Sequence, residues 1–471
     1  MMAGDWSETN KPTLAGFYNR FKTIAENRIE SGTDGVHGMP IKANWGPTKT
    51  VTSIDGETNL IKIFGQENTA YKLGRLALLG QPKELLLYRL VDGSEKAAEL
   101  NLKNTATTPA DVIKIQTKYP TTRTFNITIQ TNIVDSNQKD LILYEGTKQL
   151  VNISGLSGTI DEIVSAINSN TDNEYIVAIT LSGATGTLAN IVNQALTGGN
   201  AGTAAITNEE YLNAMTTFEG YDLDAFTLDG ISDVSLIASA QTWADTQKEN
   251  GNDFQLFVGG SSDTTLDEAN ALSKQLNSEN VVNIGDPLYY NDVLYSPAEV
   301  AVYVAAYSIG LALKDSACNK STIFSKMKTK HSKTERIAAL KAGTLVFDEK
   351  DGSVIIVDDK NTFTEYTDDK GEVFGYIRAV RFRNTVDKDT TVSGDAYVGN
   401  TLNDTTGQLS VISALKQYFE TFSLSGIIAS DFTVEIDAAL QATAKDDEFY
   451  WKWNANYINV MKKIYGTGYI Q

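Results

Sequence analysis

Between residues 225 and 314 short apolar runs alternate with helix-length segments. The runs "DAFTLDG", "DFQLFVGG" and "VVNIGD" have the size and content of strands. Helices are expected at about 232 to 249, 264 to 278 and 297 to 314, and Thr207 with Glu210 spells a T-x-x-E capping box for one more, reaching Thr217. Strands alternating with helices of that length imply a parallel or mixed sheet with both faces covered. In such a sheet ligands bind beyond the carboxyl ends of the strands.

Around that core the text changes character several times. Residues 1–30 carry scattered aromatics without helical period, which describes an arm and not a domain. From 31 to 100, strand-like runs ("VHGMPIKANW", "KELLLYRLV") flank one amphipathic helix, "NTAYKLGRLALLG", as in a small α+β domain. Residues 101–200 are rich in Thr, Asn, Ile and Val. There "RTFNITIQTNI" alternates so that Phe125, Ile127 and Ile129 share one face, "DLILYE", "KQLVNI" and "EYIVAITL" follow as strands, and "TIDEIVSAINSN" reads as a helix. This β-rich insertion closes at the glycine-rich "LTGGNAGTAA". The α/β core is expected to span 201–456. It includes a hairpin turning at Asp351-Gly352, a second hairpin around Asp369-Lys370-Gly371, and a helix "VISALKQYFETFSLSG". The fold class expected is therefore α/β plus β and multidomain: a mixed α/β core sheet domain, a small α+β domain, a β-rich insertion, and extended N- and C-terminal arms.

The 471 residues carry a net charge of −19, with 41% hydrophobic and 21% charged residues. That is an ordinary globular composition, and the acidity speaks against nucleic acid and anionic membrane as partners. Residues 1–30 lack the apolar core of a secretory signal, so the expected place of synthesis is the cytoplasm. The longest apolar stretch, "AEVAVYVAAYSIGLALK", is shorter than the roughly 20 residues of a membrane span and reads as a buried helix. The lone Cys318 excludes an internal disulfide and a cysteine zinc site.

Candidates for chemistry are few. Loops after the core strands offer Asp229, Asp233, Asp263 and Asp286, which suit helix caps and turns as well as they suit metal or acid–base roles. "VGGSSD" and "TGGNAG" lack the spacing of a phosphate loop or a dinucleotide fingerprint, and Asp222 with Asp224 does not extend to a calcium loop because Phe226 occupies the third ligand position. The two histidines, His37 and His331, have no acid or nucleophile at a recognised catalytic spacing. No catalytic residue, metal or cofactor is expected. One dense basic cluster, "KMKTKHSKTER", supplies Lys326, Lys328, Lys330, Lys333 and Arg336, either as a solvated face or as a dock for an acidic partner.

The last residues, "YINVMKKIYGTGYIQ" (457–471), have strand-like Tyr, Ile and Val interrupted by Gly466 and Gly468. An apolar terminal strand either pairs at home or is taken up by another subunit.

Several segments in fixed order carry a family resemblance. "PTLAGFYNRF" (12–21), "LTGGNAG" (196–202), "AGTLVF" (342–347), "GYIRAVRFRNTV" (375–386), "YVGNTLNDTTGQLSVISALKQYF" (397–419) and "YINVMKKIYGTGYI" (457–470) together resemble tail sheath proteins of contractile phages and phage-like particles. The resemblance covers the arm and about 196–471, leaving 101–195 outside. It implies arms that add strands to a sheet of neighbouring subunits, through Phe17, Tyr18 and Phe21 at the front and Val460, Ile464, Tyr465, Tyr469 and Ile470 at the back. Gly466 and Gly468 depart from the β-branched residues expected there. It further implies stacked six-fold rings around an inner tail tube protein, baseplate and tail terminator partners, and contraction by rigid-body repacking without nucleotide. The basic cluster would face an acidic tube or neighbour. A different self-assembling lattice protein, of surface layer or capsid, and an α/β metal-dependent enzyme using the strand-end aspartates remain as alternatives.

Overall fold

The computed structural model describes residues 35–470 except 67 and 369, so Phe17, Tyr18 and Phe21 lie outside the described residues. The chain forms two compact units, one of 33–385 with 460–471, the other comprising 386–459 among the described residues.

The larger unit is built on a seven-stranded sheet ordered Thr344–Leu345, Val281–Ile284, Gln255–Gly259, Ala225–Thr227, Val36–Lys42, Glu84–Leu90, Val51–Ile54. All neighbours are parallel except the last pair, where Val51–Ile54 runs against Glu84–Leu90. Strands buried on both faces read as unbroken apolar runs, and "ELLLYRL" does so here. Leu85 and Leu87 face one cluster with Met39, Ile41 and the helix Pro297–Gly310. Leu86, Tyr88 and Leu90 face the other, with Tyr211 and Phe218 from the helix Asn208–Phe218 and Leu236 from the helix Val234–Glu249. The helix Pro297–Gly310 is apolar nearly all round because it is buried nearly all round. It passes so close to the sheet that a Cβ on Gly259 would lie 2.4 Å from the Pro297 carbonyl carbon. Among the described residues no helix is long and apolar enough to cross a membrane.

Helix starts follow a repeated local rule. Capping boxes close in both directions at Thr159/Glu162, Thr207/Glu210, Thr265/Glu268, Ser296/Glu299 and Ser332/Glu335. Each satisfies two amide donors that the first helical turn leaves free.

Between residues 91 and 207 two further sheets pack around their own core. One orders Ile191–Ala195, Phe125–Thr131, Lys139–Glu145, Lys148–Leu156; the other orders Glu99–Lys103, Asp111–Thr117, Ile176–Thr180. Phe125, Ile127 and Ile129 are fully buried between them, with Ile163 and Ile167 of the helix Ile160–Ser169. Trp45, from outside this segment, joins the same core and packs edge-on to Tyr119 at 5.2 Å. The wholly buried Arg89 donates to the carbonyls of Gly46 (2.7 Å), Pro120 (2.8 Å) and Ala201 (3.1 Å), tying the core strand to two points of the 91–207 segment.

The hairpin at Asp351-Gly352 joins Phe347–Lys350 to Ser353–Ile356 as expected. The second expected hairpin does not form: after a short 3-10 turn, Ile377–Gly394 is a helix. Its first turns are held by distant partners. Arg381 donates to the carbonyls of Ser308 (2.5 Å), Ile309 (3.2 Å) and Leu311 (3.0 Å), and Arg378 to Leu313 (2.9 Å), at the carboxyl end of Pro297–Gly310. Cations at a helix C-terminus satisfy its free carbonyls, and here they favour a helix over the strand that the local alternation suggests.

In the smaller unit the helix Thr405–Leu424, capped by Asp404, lays Leu415, Tyr418, Phe419 and Phe422 on one face. Phe419 meets Trp453 at 4.8 Å, on a two-stranded antiparallel ribbon of Thr433–Ile436 and Trp451–Asn454. Tyr418 donates to Asp389 at 2.7 Å.

Candidate functional site

The aspartates at the strand ends have structural partners. Asp229 is buried and accepts from the Tyr211 hydroxyl at 2.6 Å, while its Oδ2 is buried with no hydrogen-bond partner; burial pushes the carboxyl up to about 6. Asp233 caps the helix Val234–Glu249 through the Leu236 amide at 2.8 Å. Asp286, also buried, accepts from the Phe347 amide at 2.9 Å and pairs with His331 Nε2 at 2.7 Å. The hydrogen bond it donates to Asp286 raises the His331 imidazole above its usual value, against the opposing effect of burial. Asp224 accepts from the amides of Gly35 (2.6 Å) and Val36 (2.8 Å), whereas Asp222 is exposed. His37 is fully buried at 2.8 Å from the Thr227 hydroxyl, and burial pushes it down to about 3. Burial likewise pushes the Cys318 thiol up to about 12, so it is a poor nucleophile. Among the described residues no group of three or more His, Cys, Asp or Glu is placed to hold a metal.

Of the basic cluster, Lys328 and Lys330 line a cleft of about 390 Å³ beyond the carboxyl ends of two core strands, with Asp263, Gly285 and Pro287. Within the cluster Lys328 pairs with Asp263 at 3.1 Å, Lys330 with Glu349 at 2.5 Å, and Arg336 with Asp348. Lys326 lies 4.5 Å over the Tyr289 ring, and Lys333 is exposed in the first turn of the helix Lys333–Ala342. Three of the five cations thus form a salt bridge among the described residues.

The C-terminal tail is different in kind. Tyr457 makes a single antiparallel bridge to Ile428, and from 458 to 470 no regular element follows. Ile464, Tyr465, Tyr469 and Ile470 are at least 83% exposed, and Val460 is half-buried. Lys462 is the exception. Its ammonium lies 2.6 Å from Asp358, 2.5 Å from Asp359 and 3.6 Å from the Tyr376 ring centre. Burial opposes its charge, but the two carboxylates outweigh burial and hold its pKa above the ordinary lysine value. No spacing in the sequence links Lys462 to partners more than 100 residues away; only the adjacency of two acids after a β-run hints at a cation site.

Four family models match consecutive stretches of the chain: the tail sheath protein Gp18 domain III N-terminal region at 35–90, the phage tail sheath beta-sandwich domain at 91–207, the phage tail sheath central domain at 204–362 and the phage tail sheath C-terminal domain at 369–471. The chain belongs to the phage tail sheath protein family. This sheath protein is 22% identical to the phage-like element PBSX protein XkdK of Bacillus subtilis, over 97% of this chain and 100% of that one. Its fold is shared with the sheath tail protein of Desulfitobacterium hafniense (TM-score 0.70, 20% identity, 94% of this chain and 100% of that one). It is shared also with the contracted helical sheath of the anti-feeding prophage (TM-score 0.56, 11% identity, 98% and 100%). The sandwich at 91–207, to which the sequence resemblance did not extend, is a sheath domain in its own right.

Proposed function

We propose that this sheath protein polymerises as stacked hexameric rings around an inner tail tube and contracts by rigid-body repacking of its subunits, driving the tube through a bacterial envelope. The observation that carries this reading is the tail, whose apolar side chains from Ile464 onward meet solvent while its root is held by a half-buried ion cluster. An apolar segment with free amides and carbonyls is suited to strand addition, where main-chain hydrogen bonds give linkage and alternate side chains give register. The receiving edge we favour is the ribbon Thr433–Ile436 and Trp451–Asn454 of a second copy, a short antiparallel pair to which a further strand could be added. Val460 at the back and the aromatics Phe17, Tyr18 and Phe21 at the front would serve the same linkage from the two ends of the chain. Heterologous contacts that do not close make a helix, the arrangement named for the anti-feeding prophage sheath.

In this reading the work of contraction comes from the free-energy difference between two packings, and no nucleotide or cofactor takes part. The other partners are baseplate and tail terminator proteins, and the subunit is made in the bacterial cytoplasm before assembly into a virion tail or phage-tail-like particle. Lys326 and Lys333, the cluster members that form no salt bridge among the described residues, are the ones to face an acidic tube or neighbour.

Negative-stain electron microscopy of the full chain beside a truncation lacking Ile464–Gln471 tests the reading. Tubes from the full chain and soluble, equally heat-stable subunits from the truncation are expected. Tubes of equal length from both would remove the tail from the linkage.

A further inference from the structure

The tail inverts the usual arrangement of a docked segment. Its apolar side chains are offered to solvent, and a charged one is tucked in: the side chains of Lys462, Asp358 and Asp359 are 14%, 20% and 3% exposed. From Lys462 onward the charged joint, and not the exposed apolar side chains, holds the tail to its own subunit. The joint is rigid on its receiving side. Asp358 and Asp359 follow the strand Ser353–Ile356, the Asp359 carbonyl accepts from the Ile377 amide at 2.9 Å, and Lys360 bridges to Tyr376 while its own ammonium lies 4.5 Å over the Tyr376 ring. A buried ion cluster adds little net stability over an apolar one of the same shape, but it specifies one geometry, because breaking it strands charges out of water.

We propose that Lys462 is the anchor of a donated strand: its cluster with Asp358 and Asp359 fixes the point at which the tail leaves its own subunit, so that only 463–471 pass to a second copy of this chain. This rests on the assembly reading above for the identity of the recipient. Nine residues fully extended reach about 30 Å, so the receiving edge lies within that distance of the cluster. Tension along a donated tail then enters the larger unit at Asp358 and Asp359.

The anchor can be read on the subunit itself, before any assembly. Amine-reactive footprinting with mass spectrometry is expected to label Lys462 at least tenfold more slowly than the exposed Lys463 in the full-length protein. The double variant Asp358→Asn/Asp359→Asn should bring the two rates together. Equal rates in the unaltered protein overturn the anchor. Tube formation is the second readout. Lys462→Arg, which keeps the charge, should assemble normally, while the charge-free Lys462→Met/Asp358→Asn/Asp359→Asn should need at least tenfold more protein to form tubes, with an unchanged circular dichroism spectrum. If the charge-free variant folds and assembles like the unaltered chain, the anchor has no part in linkage. If the unaltered chain forms no tubes, the recipient named here is wrong along with the assembly reading, and the footprint alone judges the joint. A charge-free variant that misfolds is replaced by Asp358→Asn alone, for which an intermediate labelling rate supports the cluster and an unchanged one overturns it.

Discussion

Asp229→Asn should make this protein less sensitive to rising pH, and the size of the effect follows from the site. The Asp229 carboxyl is buried, accepts one hydrogen bond from Tyr211, and has its second oxygen unpartnered. Burial moves its pKa from 3.8 to about 6. Below pH 3.8 folded and unfolded chains both hold the proton, and the folded state bears no charge penalty there. Above that value the unfolded chain releases the proton first, and the penalty grows until the folded carboxyl has also ionised, near pH 7. A shift of about two pK units corresponds to about 3 kcal/mol. Asparagine keeps an acceptor for Tyr211 and never ionises, so any constant effect of its amide cancels between two pH values. Urea unfolding of both proteins at pH 4 and pH 7, followed by circular dichroism and compared at equal slope, should show the variant gaining about 2 to 3 kcal/mol relative to the parent on going to pH 7. A difference between the proteins that stays the same at both pH values would refute the claim that Asp229 is a charge buried at a cost.

His331 gives a second loss of stability with rising pH, in a higher range and from a charge that the fold favours. Its folded pKa is raised by Asp286, so its contribution is complete below the unfolded value of 6.5 and is lost as pH rises through the folded one; the urea midpoint should fall over that range, and His331→Asn should lack the fall. Gly259→Ala places a methyl group 2.4 Å from the backbone of Pro297, which no side-chain rotation relieves, and a loss of about 1 to 3 kcal/mol in thermal or urea unfolding is expected.

Much of the larger unit is legible wherever the deciding interactions are local or periodic. The alternation that puts Phe125, Ile127 and Ile129 on one face is repeated in their burial, and the T-x-x-E reading at Thr207 and Glu210 is a closed capping box. The same pattern at Thr159, Thr265, Ser296 and Ser332 was there to be read by the same rule. Legibility ends where a distant group overrides local preference. Ile377–Gly394 follows a turn-forming Lys370-Gly371 and alternates like a strand, yet carbonyls some 65 to 73 residues upstream hold Arg378 and Arg381 in a helix. The helix Glu57–Phe64 lacks a side-chain cap, since Gly56 precedes it, and so carries no start signal. Arg89 and Lys462 show the same limit for charged residues: each looks like a surface cation in the sequence, and each is buried by partners that only the tertiary fold supplies.

The junction at Arg89 sets the terms on which the sandwich could be transplanted. The Asp92 amide donates to the Gly202 carbonyl at 2.8 Å, so the chain leaves and rejoins the core sheet at nearly one point, and a short turn could close the gap. Cutting there would nonetheless orphan two residues of the host. Arg89 would keep its charge and lose the Pro120 and Ala201 carbonyls, and Trp45 would stand without Tyr119 and Phe125 around it. A portable version of this domain therefore has a discontinuous boundary: a graft into another scaffold must carry a tryptophan and an arginine with it, and a sheath stripped of the sandwich must replace both.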